Sequence, residues 1–144
     1  MIFGRKKRRI ERVLVVEDEP LVAFDTEHFL SEEGFGIVAT VDSVGDALEA
    51  ILRASRIDLV LVDVTLADGG SGIDVARAAH ERGIQVLFVT GSCPAEATTL
   101  AAGCLTKPYP QRDLLIAIEA IESVLEGEAP RRLPHGFNLF RHAA

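Results

Sequence analysis

Two apolar runs that stop dead on carboxylates constrain this chain more than anything else in it. Val13-Leu14-Val15-Val16 ends on Glu17-Asp18, and Leu59-Val60-Leu61-Val62 ends on Asp63. A strand that is apolar at every position is buried on both faces, the mark of a parallel sheet covered by helices. Between such runs the spacing turns helical. Leu21, Val22, Phe24, Phe29 and Leu30 share one predicted helix face closed by Gly34, and Ser43 is placed to cap a helix whose inward residues are Val44, Ala47, Leu48, Ile51 and Leu52. Ile37 to Ala39, Gln85 to Val89 and Cys104 to Thr106 read as further strands. Ile73 to Arg82 and Asp113 to Leu125 read as helices, and the stretch from Pro94 to Ala102 has room for only a short one. Five strands alternating with five helices predict a doubly wound α/β domain with right-handed crossovers.

In such a sheet the ligand site lies beyond the carboxyl ends of the strands. Those ends carry Glu17, Asp18, Asp63, Thr90 and Lys107. Three clustered acids repel one another unless a cation stands among them, and a hard, oxygen-loving ion such as Mg²⁺ fits that need where a phosphate completes its shell. Lys107 supplies a compact positive charge for a phosphoryl oxygen, Thr90 a hydroxyl donor, and a central aspartate a nucleophile. The set points to metal-assisted phosphoryl transfer onto a carboxylate.

Charge and cysteine content add exclusions. Lys and Arg number 15 against 22 Asp and Glu, a net charge of −7. From Val13 onward nine cations face 21 acids, which argues against a duplex-binding surface. Arg5, Lys6, Lys7, Arg8, Arg9 and Arg12 form a basic arm, read as a solvated leader ahead of nucleic-acid or lipid binding. No apolar run approaches the roughly 18 residues of a membrane span. With two cysteines and no signal peptide, a reducing, cytoplasmic setting is expected; Cys104 reads as a small buried hydrophobe and Cys93 as a loop bystander. Gly69, Gly70 and Gly72 lack the spacing of a dinucleotide fingerprint and read as a flexible loop.

From Val13 to Leu125 the chain resembles the receiver domain of bacterial two-component response regulators. The likeness rests on Val13-Leu14-Val15-Val16-Glu17-Asp18-Glu19-Pro20, on Asp63 after its apolar run, on Thr90-Gly91 and on Lys107-Pro108, which put five site residues in order and each at a strand end. It implies a flavodoxin-like five-stranded parallel sheet of order 2-1-3-4-5 with helices on both faces. It implies Asp63 as phosphoacceptor, with Thr90 and Lys107 responding to the new oxygens. Asp18, Asp63 and the backbone carbonyl of Thr65 would hold Mg²⁺, with Glu17 acting through water, and Pro108 would follow a cis bond. The implied partners are a sensor histidine kinase or histidine phosphotransfer protein, a downstream protein effector, and a second copy through the face of the fourth helix, fifth strand and fifth helix. The chain is then a phosphoacceptor that assists its own phosphorylation and dephosphorylation, not an enzyme. It binds no nucleic acid and inserts into no membrane.

Three departures stand out. The position three before the lysine, often aromatic in the family, is Cys104; the interval from Thr90 to Lys107 is short; and the loop after Asp63 is about one residue long, with Ala67 where proline is common. With Phe88-Val89-Thr90-Gly91, these traits resemble an alphaproteobacterial, stand-alone receiver type with a Phe-x-Thr-Gly motif. The expected organisation is an arm over 1–12, a receiver over 13–126 and a tail over 127–144, too short for an effector. In that tail Phe137, Leu139 and Phe140 either fold back or serve as a docking peptide. The alternative function is a phosphorylation-independent interaction module on the same fold, for which Cys104 speaks. A haloacid-dehalogenase-like phosphatase would want an aspartate where Thr65 stands.

Overall fold

The computed structural model describes residues 8–140. Its elements run β1 (Arg12–Val16), α1 (Pro20–Glu32), β2 (Gly36–Val41), α2 (Val44–Arg53), β3 (Leu59–Val62), α3 (Gly72–Glu81), β4 (Gln85–Thr90), α4 (Ala97–Leu100), β5 (Gly103–Thr106), α5 (Gln111–Leu125) and β6 (Phe137–Leu139). The sheet order is β2-β1-β3-β4-β5-β6. Its first five strands pair in parallel, as the apolar runs require, and the 2-1-3-4-5 order is the flavodoxin-like one.

Strand alternation sorts the core into two layers. Val13, Val15, Leu59, Leu61, Leu87, Val89 and Leu105 face α1 and α5 and pack on Leu30, Leu114, Ile118 and Ile121. Leu14, Val16, Val60, Val62, Val86 and Phe88 face the other way, onto Ala47, Ile51, Val75, Ala76, Ala79 and Leu100. Local signals end the helices where the spacing predicts. Ser43 accepts a hydrogen bond from the Asp46 N–H at 3.1 Å. Gly34 and Gly83, just past α1 and α3, take positive φ of 96° and 75°, the left-handed turn that costs other residues a steric penalty.

Five expectations change. The sheet gains a sixth strand, because the tail folds back: Phe137, Asn138 and Leu139 pair antiparallel with Leu105, Cys104 and Gly103. Phe137 is buried and Gly103 makes room for it, since a Cβ at Gly103 would stand 2.6 Å from Phe137 Cε1 and 2.8 Å from the Asn138 carbonyl.

On α1, Leu21 and Phe24 are 78 % and 68 % exposed rather than inward, and the His28 ring stacks on Phe24 at 6.2 Å. The helix instead turns Phe29 and Leu30 to the core. Leu21, Phe24 and His28 fall at i, i+3 and i+7, a stripe of their own.

The 69–72 segment is not simply a flexible loop. The Gly72 N–H donates to the Val64 carbonyl at 2.6 Å, and a Cβ there would collide with the Asp63 backbone. Of the basic arm, Arg5, Lys6 and Lys7 lie outside the described residues. Arg8 and Arg9 are not a solvated leader: the Arg8 guanidinium sits 4.1 Å over the Phe35 ring, and the Arg9 and Ile10 N–H groups both donate to Glu122 Oε2 at 3.0 Å.

The fifth change concerns the cysteines. Cys93 and Cys104 are joined in a disulfide, with Cα atoms 6.2 Å apart. Cys104 pairs with Phe88 in the β4–β5 register and is wholly buried, and the chain after Thr90 turns back over it. A bonded pair removes the thiol count as an argument for a reducing compartment.

Candidate acidic phosphoryl site

The last rungs of the parallel ladder set the site's backbone. The Asp63 N–H donates to the Val16 carbonyl at 3.1 Å, the Glu17 N–H to the Val41 carbonyl at 2.9 Å, and the Lys107 N–H to the Thr90 carbonyl at 2.8 Å. Every predicted site residue therefore leaves the sheet at the same edge. Oxygens of Glu17, Asp18 and Asp63 lie within 4.8 Å of one another. Glu17, Asp63 and Thr90 are the buried polar residues of the described chain, which sets them apart from the ordinary acids of its surface.

Lys107 closes the cluster. Its Nζ donates to Glu17 Oε1 at 2.7 Å, to Asp63 Oδ2 at 2.8 Å and to Glu19 Oε2 at 3.1 Å. One ammonium has three donors, and all three are used. Burial works against its charge, but the hydrogen bonds to Asp63 and Glu17 and the adjacent negative charge outweigh it, holding the ammonium well above its usual range. Burial is also the main influence on Glu17 and raises its carboxyl, against the opposing pull of Lys107. Three carboxylates with oxygens this close are the donor set a hard divalent ion prefers, so the residues present fit Mg²⁺.

Thr65 stands two residues beyond Asp63, its N–H 3.4 Å from Asp63 Oδ1, in a bridge with Ser71. Thr90 ends β4 in register with Thr106. The Lys107–Pro108 bond is cis, as the resemblance implies.

Sequence reading passed over three contributors. Glu19 is an exposed third partner of Lys107, visible beforehand only as one more acid in the first motif. Tyr109 packs on the α1–α5 core beside the site, and burial pushes its phenol up to about 12. Gly72 lets the start of α3 lie directly on the Asp63 backbone. No local pattern marks the last two, because each depends on a neighbour distant in sequence.

A doubly wound sheet with acids, a hydroxyl and a lysine at its carboxyl edge defines a class, and the comparisons agree with it. The family model described as the response regulator receiver domain matches residues 13–119, and the chain belongs to that family. Phosphorylation and Mg²⁺ binding are standard for it.

The solution structure of SdrG from Sphingomonas melonis is 33 % identical, with a TM-score of 0.67 over 78 % of this chain and 96 % of that one. The response regulator PhyR from Brucella abortus is 28 % identical at a TM-score of 0.68, over 84 % of this chain and 51 % of that one. Among curated proteins, the cell cycle transcriptional regulator CtrA of Caulobacter vibrioides is 30 % identical over 82 % of this chain and 53 % of its own length. The phyllosphere-induced regulator PhyR of Methylorubrum extorquens is 32 % identical over 54 % of this chain and 30 % of its own length. The chain thus spans about half or less of these curated relatives. Among the described residues no helix is long and apolar enough to cross a membrane.

Proposed function

We propose that this receiver accepts a phosphoryl group on Asp63 from a histidine kinase or histidine phosphotransfer protein and signals by protein contact or by passing the phosphate on. The observation that carries the reading is the Lys107–Asp63 hydrogen bond of 2.8 Å set against the Glu17–Asp18–Asp63 cluster. An Asp63 carboxylate oxygen attacks phosphorus in line while the bond from phosphorus to the donor imidazole nitrogen breaks. The electron pair returns to that nitrogen. Lys107 holds a phosphoryl oxygen and Thr90 donates its hydroxyl to another, so charge developing on the group meets donors already in place.

Asp18, Asp63 and the Thr65 carbonyl would hold Mg²⁺, with Glu17 contacting it through water. Bound there, the ion offsets the repulsion between carboxylate and phosphate. The receiver proper is residues 13–126. The 127–144 tail adds the edge strand β6. The exposed Leu21 and Phe24, one turn beyond the acids, offer an apolar contact for the phosphodonor.

Output through a protein partner is part of the same reading. One PhyR relative, from Bartonella quintana, is described as an anti-anti-sigma factor. Stand-alone action in the cytoplasm belongs to the same proposal. A homodimer through α4, β5 and α5 would form either around β6 or after its release, since β6 occupies the outer edge of β5.

Incubation with Mg²⁺ and acetyl phosphate, followed by intact mass and hydroxylamine treatment, tests the proposal. A labile phosphate on wild type and none on Asp63→Asn is expected; an unmodified wild type overturns it. A phosphorylation-independent interaction module is the second reading, favoured by the disulfide at Cys104 where the family often places an aromatic ring. It requires that same unmodified outcome.

A further inference from the structure

The disulfide lies between the two strand ends that carry Thr90 and Lys107. Cys93 follows Thr90 by three residues, and Cys104 precedes Lys107 by three. The backbone of residues 91–96, including the exposed Gly91 and Ser92, makes its hydrogen bonds only locally among the described residues. The Ala97 N–H reaches the Pro94 carbonyl at 3.1 Å and the Thr99 N–H the Glu96 carbonyl at 3.2 Å. What ties this segment to β5 is the sulfur bridge, together with a 3.8 Å contact between Cys93 Sγ and Thr106 Oγ1. A bond placed there controls how far the backbone after Thr90 can travel.

The two sulfurs also differ in access. Cys104 is fully buried, whereas Cys93 is only half-buried. An incoming thiolate or peroxide therefore meets Cys93, and Cys104 is the resolving partner. A pair that opens and closes this way is a redox site, not merely a brace.

We propose that Cys93 and Cys104 are a reversible thiol–disulfide site whose bonded state holds residues 91–96 on β5 and resists the phosphorylation-linked movement of Thr90. The gating half of this proposal rests on the receiver reading above; the chemistry of the pair does not.

With a peroxide as oxidant, the Cys93 thiolate attacks one peroxide oxygen, the O–O bond breaks, and the departing hydroxide takes a proton to leave as water. The Cys104 sulfur then attacks the resulting sulfenic acid. The S–S bond forms, the S–O bond breaks and a second water leaves, so two thiols are oxidised by two electrons and one peroxide is reduced. Opening uses two equivalents of a small thiol. The first thiolate attacks Cys93 Sγ and expels Cys104 as a thiolate, which takes a proton. The second attacks the external sulfur of the mixed disulfide and releases Cys93, leaving the small thiol oxidised.

The test uses the full chain, oxidised with hydrogen peroxide or reduced with glutathione. Iodoacetamide labelling after denaturation counts the free thiols, amide exchange reads residues 91–97, and a beryllofluoride titration with Mg²⁺ reads the switch. Oxidised protein is expected to label at neither cysteine and reduced protein at both. Reduction is expected to speed exchange in 91–97 by about tenfold. It is also expected to lower the beryllofluoride midpoint by about threefold, a modest coupling between two sites. The Cys93→Ser, Cys104→Ala double variant should match reduced wild type under either treatment.

A pair that stays bonded in excess glutathione, or stays free in peroxide, overturns the redox site. Equal exchange and equal beryllofluoride response in both states overturn the gating. A beryllofluoride response missing from both states removes the receiver reading and the gating with it, while the thiol count still decides the site. Asp63→Asn should lose beryllofluoride binding yet keep the thiol count of wild type.

Discussion

Lys107 Nζ sits 2.8 Å from Asp63 Oδ2, and the same ammonium spans Glu17 and Glu19. One cation thus neutralises part of a pocket that would otherwise hold several uncompensated acids. This arrangement explains how the fold tolerates Glu17 at 3 % side-chain exposure.

Replacing that cation separates its two roles. Lys107→Ala is expected to tighten Mg²⁺ binding by about tenfold, because a positive charge competing for the same oxygens has gone. It is also expected to abolish phosphorylation, because the cation that holds a phosphoryl oxygen has gone and the neutral Thr90 hydroxyl does not replace its charge. Calorimetric titration with Mg²⁺ beside an acetyl phosphate assay reads both; weaker Mg²⁺ binding would contradict the arrangement.

Gly72 faces the backbone of the phosphoacceptor strand end, and no side chain fits there. Gly72→Ala forces α3 and the Asp63 turn apart, at an expected cost of about 3 kcal/mol as overpacking against rigid backbone. Urea unfolding measures the loss, and a variant as stable as wild type would show that the two segments separate freely.

Asp58 ties the entry of β1 to the entry of β3. Its Oδ2 accepts the N–H groups of Glu11 and Arg12, both at 2.9 Å, and its Oδ1 the Arg56 guanidinium at 2.8 Å. Partial burial works against the charge, but Arg56 and the two N–H donors outweigh it and hold the carboxyl below its ordinary value. A lowered acid stabilises the fold above its unfolded value of 3.8 and ceases to do so as pH falls through the lower folded value. Asp58→Ala should cost about 2 kcal/mol at pH 7. The gap between variant and wild type should close progressively below pH 3.8, as followed by denaturation at stepped pH.

The sixth strand protects an edge. Phe137→Ala removes a buried ring from between Gly103 and the α5 side of the core and should cost about 3 kcal/mol. Removing residues from 128 onward should also bare the edge of β5 and promote self-association there. Thermal unfolding and sedimentation check the two effects, and a truncated chain that remains monomeric at high concentration would argue against edge protection.

Periodicity and punctuation along the chain carried the sheet, its helical cover and the edge where the acids gather. They suffice because a strand apolar on both faces, a Ser43 cap and a Gly34 stop act through residues a few positions apart. Where α1 turned Leu21 and Phe24, what Cys93 met, where Phe137 lay and why position 72 is glycine were decided by tertiary structure alone. Each of these depends on a register between segments distant in sequence: Phe88 beside Cys104, Leu105 beside Phe137, the start of α3 on Asp63. A local pattern has no term for such a neighbour, so the chain could announce its acidic edge but not the sulfur bridge and the extra strand that flank it.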